Sequence, residues 1–450
     1  MVIKDKKCYC DKKHLRLLIT DPYTPQSYDI VRALHHLCEK IVVAVPNIGR
    51  FPQFFLFTAH SRLISKAYRI KSAKPPDTLP IMLDKGYTVT VGKEYIDELM
   101  YICEQERINC IYPSSDDEVF LLAKHKRIFE ERGVIIPVNE YEVLKSIADK
   151  FNIIQLARQK EIPCPETFLA TDINSPSFKE TCRNNPMAII KPRFGCAARG
   201  ILFINKQDDL ERWIKNNKHN AHEFVVQEYI PGDTIVNVRV YMKQDGTALH
   251  VSCSSCQRPQ MIIHQSAGII HSVEKNPVYC EKIISLLRDK KYVGYGHAQF
   301  KIDARNGEHK LMEINVRLGR GTWTEVRQGI NRPLISLALF KNKEIEIPKS
   351  NDKTDMVFAY PVQDVFIFIL YLFSKLGKII KGRILCSEKT KRLPPIKEML
   401  KHYHDIYFSG KRKVEYDNYV KFFLKDPLVS LNHWFLFCYQ LRRRFKEWNF

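Results

Sequence analysis

The residues best placed to do chemistry lie between Gln299 and Arg320. Glu313 and Asn315 stand two apart in a run with strand character, so their side chains project from one face. Asn306-Gly307 marks a tight turn between that run and the one before it, which brings Gln299 level with the pair. One carboxylate and two amides form an oxygen-rich set that suits Mg²⁺, whose remaining ligands are usually waters and phosphates. Arg317 continues the same face and Arg320 follows. Guanidinium groups beside a metal are suited to phosphate oxygens. Glu-x-Asn taken alone reads better as the polar face of an edge hairpin.

Two further segments carry weaker signals. In KPRFGCAARG, Lys191 ends an apolar run, and Gly195 and Gly200 open the loop that follows. Small residues let backbone N–H groups approach phosphate oxygens, and the lysine adds a point charge. A polar hairpin loop has the same composition, and no GK[ST] follows to make a Walker motif. In VVQEYIPGD, a strand ending at Gln227, Glu228, Tyr229 and Ile230 can offer backbone donors and acceptors to an adenine edge. Alone, it is an apolar strand and a turn.

The elements that must position these residues change character along the chain. Residues 14–45 read strand, helix, strand, which implies a parallel sheet. The helical run YIDELMYICEQERI, the strand NCIYPSS, the helical run DDEVFLLAKHKRIFEERG and a further strand VIIPV continue that pattern. This is a doubly wound domain over 1–145 that lacks GxGxxG after its first strand, so no dinucleotide site is expected there. Asp116, Asp117 and Glu118 follow a strand, where such sheets bind ligands. Capping of the next helix is the favoured reading of these acids, with a substrate amine as the alternative. Residues 140–167 show one long helical pattern that ends at Pro163 and Pro165. Beyond it come strands and two hairpins, turning at Asp245-Gly246 and Asn306-Gly307.

Composition bounds the function. The chain has 450 residues, 45% of them hydrophobic, the profile of a folded globular protein. Its net charge of +21 calls for an anionic partner. Residues 351–450 alone carry +9, and end in LNHWFLFCYQLRRRFKEWNF. Such a segment can lie on an anionic membrane; a terminal helix packed on the protein is the favoured alternative. No zinc-finger, recognition-helix or RNP1 pattern supports nucleic acid, so none is expected. The longest apolar run, Val365 to Phe373, is about half of what a spanning helix needs. The thirteen cysteines have no framework spacing, and Cys253-x-x-Cys256 lacks a second pair for zinc. With no secretory signal in the opening residues, a cytoplasmic protein is expected, peripheral at the membrane if the basic tail binds lipid.

The order of these pieces resembles the ATP-grasp superfamily, most closely the carbamoyl-phosphate-synthase-like branch of carboxylate–amine ligases, over about residues 14–345. The matching motifs are SIADKFNI, AIIKPRFGCAARGI, VVQEYIPG and, most specific, AQFKIDARNGEHKLMEINVRLGRG. The resemblance implies an α/β and α+β fold: a Rossmann-like domain (1–145), an ATP-grasp domain (146–345, with a small lid over about 165–235) and a basic, mostly helical extension (346–450). It implies that Lys150 and Lys191 contact phosphates and that the loop from Gly195 to Gly200 closes over them. Gln227, Glu228, Tyr229 and Ile230 would border the adenine. The family's ribose-binding acid is displaced here to Asp233. Gln299, Glu313 and Asn315 would hold Mg²⁺ or Mn²⁺. Arg317 would steady the γ-phosphate and acyl-phosphate, with Arg320 and Arg258 toward the substrate carboxylate.

The implied reaction joins a small carboxylate to an amine at the expense of ATP, in a monomer or homodimer. D-Aspartate ligases and similar envelope-modifying enzymes have the same three-part layout. An ATP-grasp kinase or carboxylase is the alternative within the fold, and a basic membrane-surface or nucleic-acid-binding protein is the alternative outside it.

Overall fold

The computed structural model describes residues 15–22, 24–47, 57–73, 93–172, 175, 178, 188–195, 201–204, 207–232, 234–257, 271–274, 279–319, 322–347, 356–359, 395–408, 413–416 and 426–427. Arg258, Arg320, Gly200, Asp233, Cys8, Cys10, the Val365–Phe373 run and the terminal twenty residues lie outside them.

The first layer is a four-stranded parallel sheet in the order β3-β2-β1-β4, built from β1 (Leu15–Ile19), β2 (Cys38–Asn47), β3 (Lys66–Ala73) and β4 (Cys110–Tyr112). Its central strands are buried on both faces, which explains their unbroken apolar sequence. Helix α1 (Pro25–Leu34) is capped by Thr24, and α2 (Lys93–Glu106) packs on β3. The expected strand at VIIPV reduces to a single bridge between Ile135 and Cys110. Pro137 has no N–H for a ladder, and Val138 turns back onto Ile136 O at 2.8 Å. The expected helix from Asp116 divides at His125 into α3 (Asp116–Lys124) and α4 (Lys126–Glu130).

The long helical pattern after residue 140 also divides, and the break matters. Helices α5 (Tyr141–Ala148) and α6 (Lys150–Gln159) are separated by Asp149, whose backbone is extended. Its buried carboxylate accepts the Phe151 N–H at 2.9 Å and so caps α6. Lys150 is therefore the first helical residue rather than a mid-helix one.

Two further sheets follow, antiparallel apart from one parallel pair at the edge of the larger. The smaller has the order β5-β8-β6-β7, from β5 (Thr167–Leu169), β6 (Ala188–Pro192), β7 (Leu202–Ile204) and β8 (Phe224–Glu228), with α7 (Gln207–Asn216) against it. The larger has seven strands, β13-β12-β9-β10-β11-β14-β15. Its body is β9 (Thr234–Met242), β10 (Ala248–Gln257), β11 (His271–Glu274), β12 (Gly294–Ile302) and β13 (His309–Asn315). One face carries Val236, Val238, Val240, Ala298, Phe300, Leu311 and Ile314 and packs on α8 (Cys280–Asp289). Met312 is an extra residue in the β12–β13 register. That bulge keeps Leu311 on the apolar face while Glu313 and Asn315 stay on the other. Cys253 also points to the helix side, 3.8 Å from Cys280 Sγ, away from any zinc arrangement.

The last hundred residues are not only helical. Beside helix α9 (Ile396–Tyr407), β14 (Met356–Ala359) and β15 (Lys413–Tyr416) extend the large sheet. Further on, buried Asp426 accepts bonds from Tyr28 Oη (3.1 Å), Ser61 Oγ (2.5 Å) and the Arg62 N–H (3.3 Å). The C-terminal extension is thus tied to the N-terminal sheet layer. Asp426→Ala leaves three donors without that acceptor and should cost about 1–3 kcal/mol of stability. A shifted denaturant midpoint with an unchanged slope would register it.

Candidate functional site

The site forms where the small sheet faces the polar side of the large one. Helix α6 begins at Lys150 because Asp149 caps it, and Asp149 also pairs with Arg193 at 2.5 Å. The Lys150 N–H donates to Arg193 O, and its Nζ donates to Gly195 O at 2.7 Å. These ties hold the start of α6 against the segment that leaves β6, and so set Lys150 beside Lys191. Gly195 has φ +104°, a conformation that favours glycine, at the mouth of the loop. Residues 196–200 of that loop lie outside the described set.

Across from the lysines stands Glu313, its Oε2 3.9 Å from Lys150 Nζ. Glu313 is directly opposite Gln299, which is directly opposite Asn237 on β9. Asn315 Nδ2 donates to Glu313 Oε1 at 3.1 Å, and Gln299 Nε2 donates to Asn237 Oδ1 at 3.4 Å. With both amide nitrogens so engaged, the amide oxygens remain for a cation. A carboxylate with two amide oxygens fits Mg²⁺ or Mn²⁺, which take hard oxygen ligands and complete their shells from phosphate and water.

Lys191 is the electrostatic centre. It is 4% exposed, and burial, then the neighbouring Lys150 charge, push its ammonium down to about 7. Glu313 opposes the shift but does not cancel it. Two cations facing one carboxylate in a dry cleft leave positive charge to be balanced by an anion.

Other expected residues are placed differently. Gln227 is buried and its Nε2 donates to Thr167 Oγ1 (2.8 Å) on the adjacent strand, so its side chain serves the small sheet. The Glu228 carboxylate pairs with Arg305 (2.5 Å) and Lys310 (3.6 Å), within a cluster that includes Asp303. Any adenine contact from these two residues falls to their backbones. Tyr229 and Ile230 lead into Gly232, which joins the two sheets. Gly232 has φ +125°, and a Cβ there would lie 2.4 Å from Ile302 O. Arg317 pairs with Asp116 (2.7 Å), linking the hairpin to the N-terminal domain. Glu118, offered above for a substrate amine, is instead buried and accepts from Thr20 Oγ1 and from Tyr95 Oη (2.7 Å).

Sequence reading missed the rest of this polar face. Asn237 and Arg239 on β9, His297 on β12 and Ser254 on β10 line it, and Glu325 and Arg332 cover it. Tyr241 Oη (2.6 Å), Ser252 Oγ and Arg332 Nε all donate to Glu325, and Arg239 stands 3.5 Å from it. Burial and the charges of Arg239, Arg332 and Arg317 hold His297 well below its ordinary value, so it is neutral. The signal was available: in IVNVRVY, residues 235–241, polar and apolar side chains alternate, which puts Asn237 and Arg239 on one face.

A family model described as the carbamoyl-phosphate synthase L chain, ATP binding domain, matches residues 149–345, the stretch that contains every element of this cleft. That stretch has the fold of an ATP-grasp domain. A second model, PylC-like, N-terminal domain, matches residues 81–137 ahead of the ATP-grasp region. D-Aspartate ligase from Enterococcus faecium is 26% identical over 230 residues, 47% of this chain and 53% of that protein. Pyruvate carboxylase from Komagataella pastoris is 22% identical over 301 residues, 62% of this chain and 25% of that protein. The chain thus spans about half the length of the ligase and a quarter of the carboxylase. Among solved structures, a biotin carboxylase–β,γ-ATP complex from Campylobacter jejuni superposes with a TM-score of 0.56 at 15% identity, over 75% of this chain and 73% of that one. At that identity the likeness shows the ATP-grasp fold alone.

The depressed Lys191 ammonium makes a stability prediction. Its unfolded value is the ordinary 10.5 and its folded value about 7, so the unfolded chain binds more protons between them. Lys191 therefore penalises the fold most below pH 7, and the penalty fades as pH rises toward 10.5. Lys191→Met should gain stability over the wild type at pH 6 and lose that advantage by pH 10. Paired denaturation curves across this range would check the sign.

Proposed function

We propose that this ATP-grasp chain is an ATP-dependent ligase that joins a carboxylate to an amine. The observation that carries the reading is the buried pair Lys150 and Lys191 facing Glu313, with Gln299 and Asn315 beside it. In this reading Lys150 and Lys191 hold the α- and β-phosphates, and the loop from Gly195 to Gly200 closes over them. Backbone groups of residues 227–230 border the adenine, and Asp233 meets the ribose. Gln299, Glu313 and Asn315 hold one or two Mg²⁺ or Mn²⁺ ions, which supply charge neutralisation of the phosphates.

A carboxylate is a poor acyl donor because its leaving group is oxide or hydroxide. A substrate carboxylate oxygen attacks the γ-phosphorus and ADP leaves, giving an acyl-phosphate. The amine then attacks the carbonyl carbon, phosphate leaves, and the amine proton goes to solvent. Fixed cations stabilise charge that the chemistry creates, and they need no reorganisation to do so. Arg317 and Arg320 would steady the acyl-phosphate and the carboxylate. Closure of the small sheet excludes the water that would hydrolyse the intermediate. The D-aspartate ligase relative supports an amino acid as one substrate, and the other in this reading is a peptide or cell-envelope precursor.

The longer alignment to pyruvate carboxylase favours a second reading, carboxylation with bicarbonate as the activated anion. The two are separable. ADP release should depend on an amine from a panel of D- and L-amino acids and short peptides, and not on bicarbonate. Glu313→Gln should lower that release by roughly a hundredfold or more, with the fold retained. Bicarbonate-dependent release that needs no amine would select the carboxylase reading. Full activity in Glu313→Gln would remove the metal role.

A further inference from the structure

Asn237 belongs to none of the motifs of the proposed site, yet it touches that site. It lies on β9 directly opposite Gln299, which is directly opposite Glu313. Asn237 is buried, and its Oδ1 is 2.8 Å from His297 Nε2 and 3.4 Å from Gln299 Nε2. An imidazole nitrogen that close to an amide oxygen is a donor, so His297 Nε2 carries a proton directed at Oδ1. His297 is itself confined: it is buried, and a Cβ on Gly319 would lie 3.5 Å from its Nδ1.

This arrangement solves a problem specific to glutamine as a metal ligand. A carboxylate presents oxygen in either orientation, whereas an amide presents oxygen in one and a repelling N–H₂ in the other. Rotating the Gln299 amide by half a turn would set its Oε1 against Asn237 Oδ1, two acceptors in contact. It would also leave the Gln299 nitrogen facing the cation.

We propose that Asn237 is a positioning residue, fixed by His297, that orients the Gln299 amide so that its oxygen faces a divalent cation. The inference rests on the metal role proposed above for Gln299, Glu313 and Asn315. It explains why β9 alternates polar and apolar residues beyond the metal set. Partners of this kind, one step removed from the ligand, commonly govern metal affinity by 10- to 100-fold, roughly, when altered.

The test uses the full chain and Mn²⁺ as the probe, with ADP present, and reads bound Mn²⁺ by electron paramagnetic resonance. Asn237→Leu keeps the volume but removes the acceptor, and should weaken Mn²⁺ by roughly tenfold or more. Asn237→Asp keeps an acceptor and should restore tight binding. In a Gln299→Glu background the two ligand oxygens are equivalent, so the Asn237→Leu loss should largely vanish. A merely structural role would give the same loss in both backgrounds, and that outcome would overturn the proposal. Wild-type affinity in Asn237→Leu would overturn it too, provided Glu313→Gln loses Mn²⁺; if neither variant loses it, the metal reading itself fails. Should the leucine variant not fold, Asn237→Ala carries the same comparison.

Discussion

A buried ammonium with too little negative charge around it governs this molecule. Lys191 sits in a dry cleft beside Lys150, with Glu313 as their shared carboxylate. Such a group costs stability, and a fold retains that cost where a ligand later repays it. The architecture works to maintain the arrangement. Asp149 starts α6 at Lys150 and grips Arg193, so that two lysines 41 positions apart in sequence converge. The β12–β13 bulge keeps Glu313 and Asn315 facing the cleft without exposing Leu311. Gly232 lets the chain cross from the small sheet to the large one at a point where a side chain would strike Ile302 O.

Charge within the cleft is sorted by partner. The buried Glu228 carboxylate is neutralised by Arg305 and Lys310. Glu325 is enclosed by Arg332, Arg239, Tyr241 and Ser252. Arg317 is held by Asp116 of the N-terminal domain. These pairs leave Glu313 as the carboxylate that faces the lysines, beside two amide oxygens. A metal and a polyanion together would complete such a set.

Much of this was legible in the sequence. The hairpin through Asn306-Gly307 put Gln299 near Glu313 in sequence terms, but their direct pairing depends on the Met312 bulge, because the turn spans residues 304–307. Lys191 at the end of an apolar run, and the parallel sheet at the start, were equally readable. Other features were not. The break at Asp149 was hidden because a cap residue in a periodic run looks like a helical one. The strand read at VIIPV failed on one proline. The strand at 227–230 was read for its backbone groups; the side chains of Gln227 and Glu228 take partners from β5 and from the 303–310 segment, which no local pattern encodes. The anchoring of Asp426 on Tyr28 and Ser61 spans almost four hundred residues, a contact no local pattern encodes.

In the proposed site, a bound nucleotide recharges Lys191. Isothermal titration of Mg·ATP at pH 8, in buffers of different ionisation enthalpy, measures the protons taken up on binding. Lys191 is largely neutral at that pH, and a polyphosphate beside it would restore its proton. Net proton uptake is expected in the wild type and is lost in Lys191→Met. Tight nucleotide binding with no proton uptake beyond that of the methionine variant would contradict it.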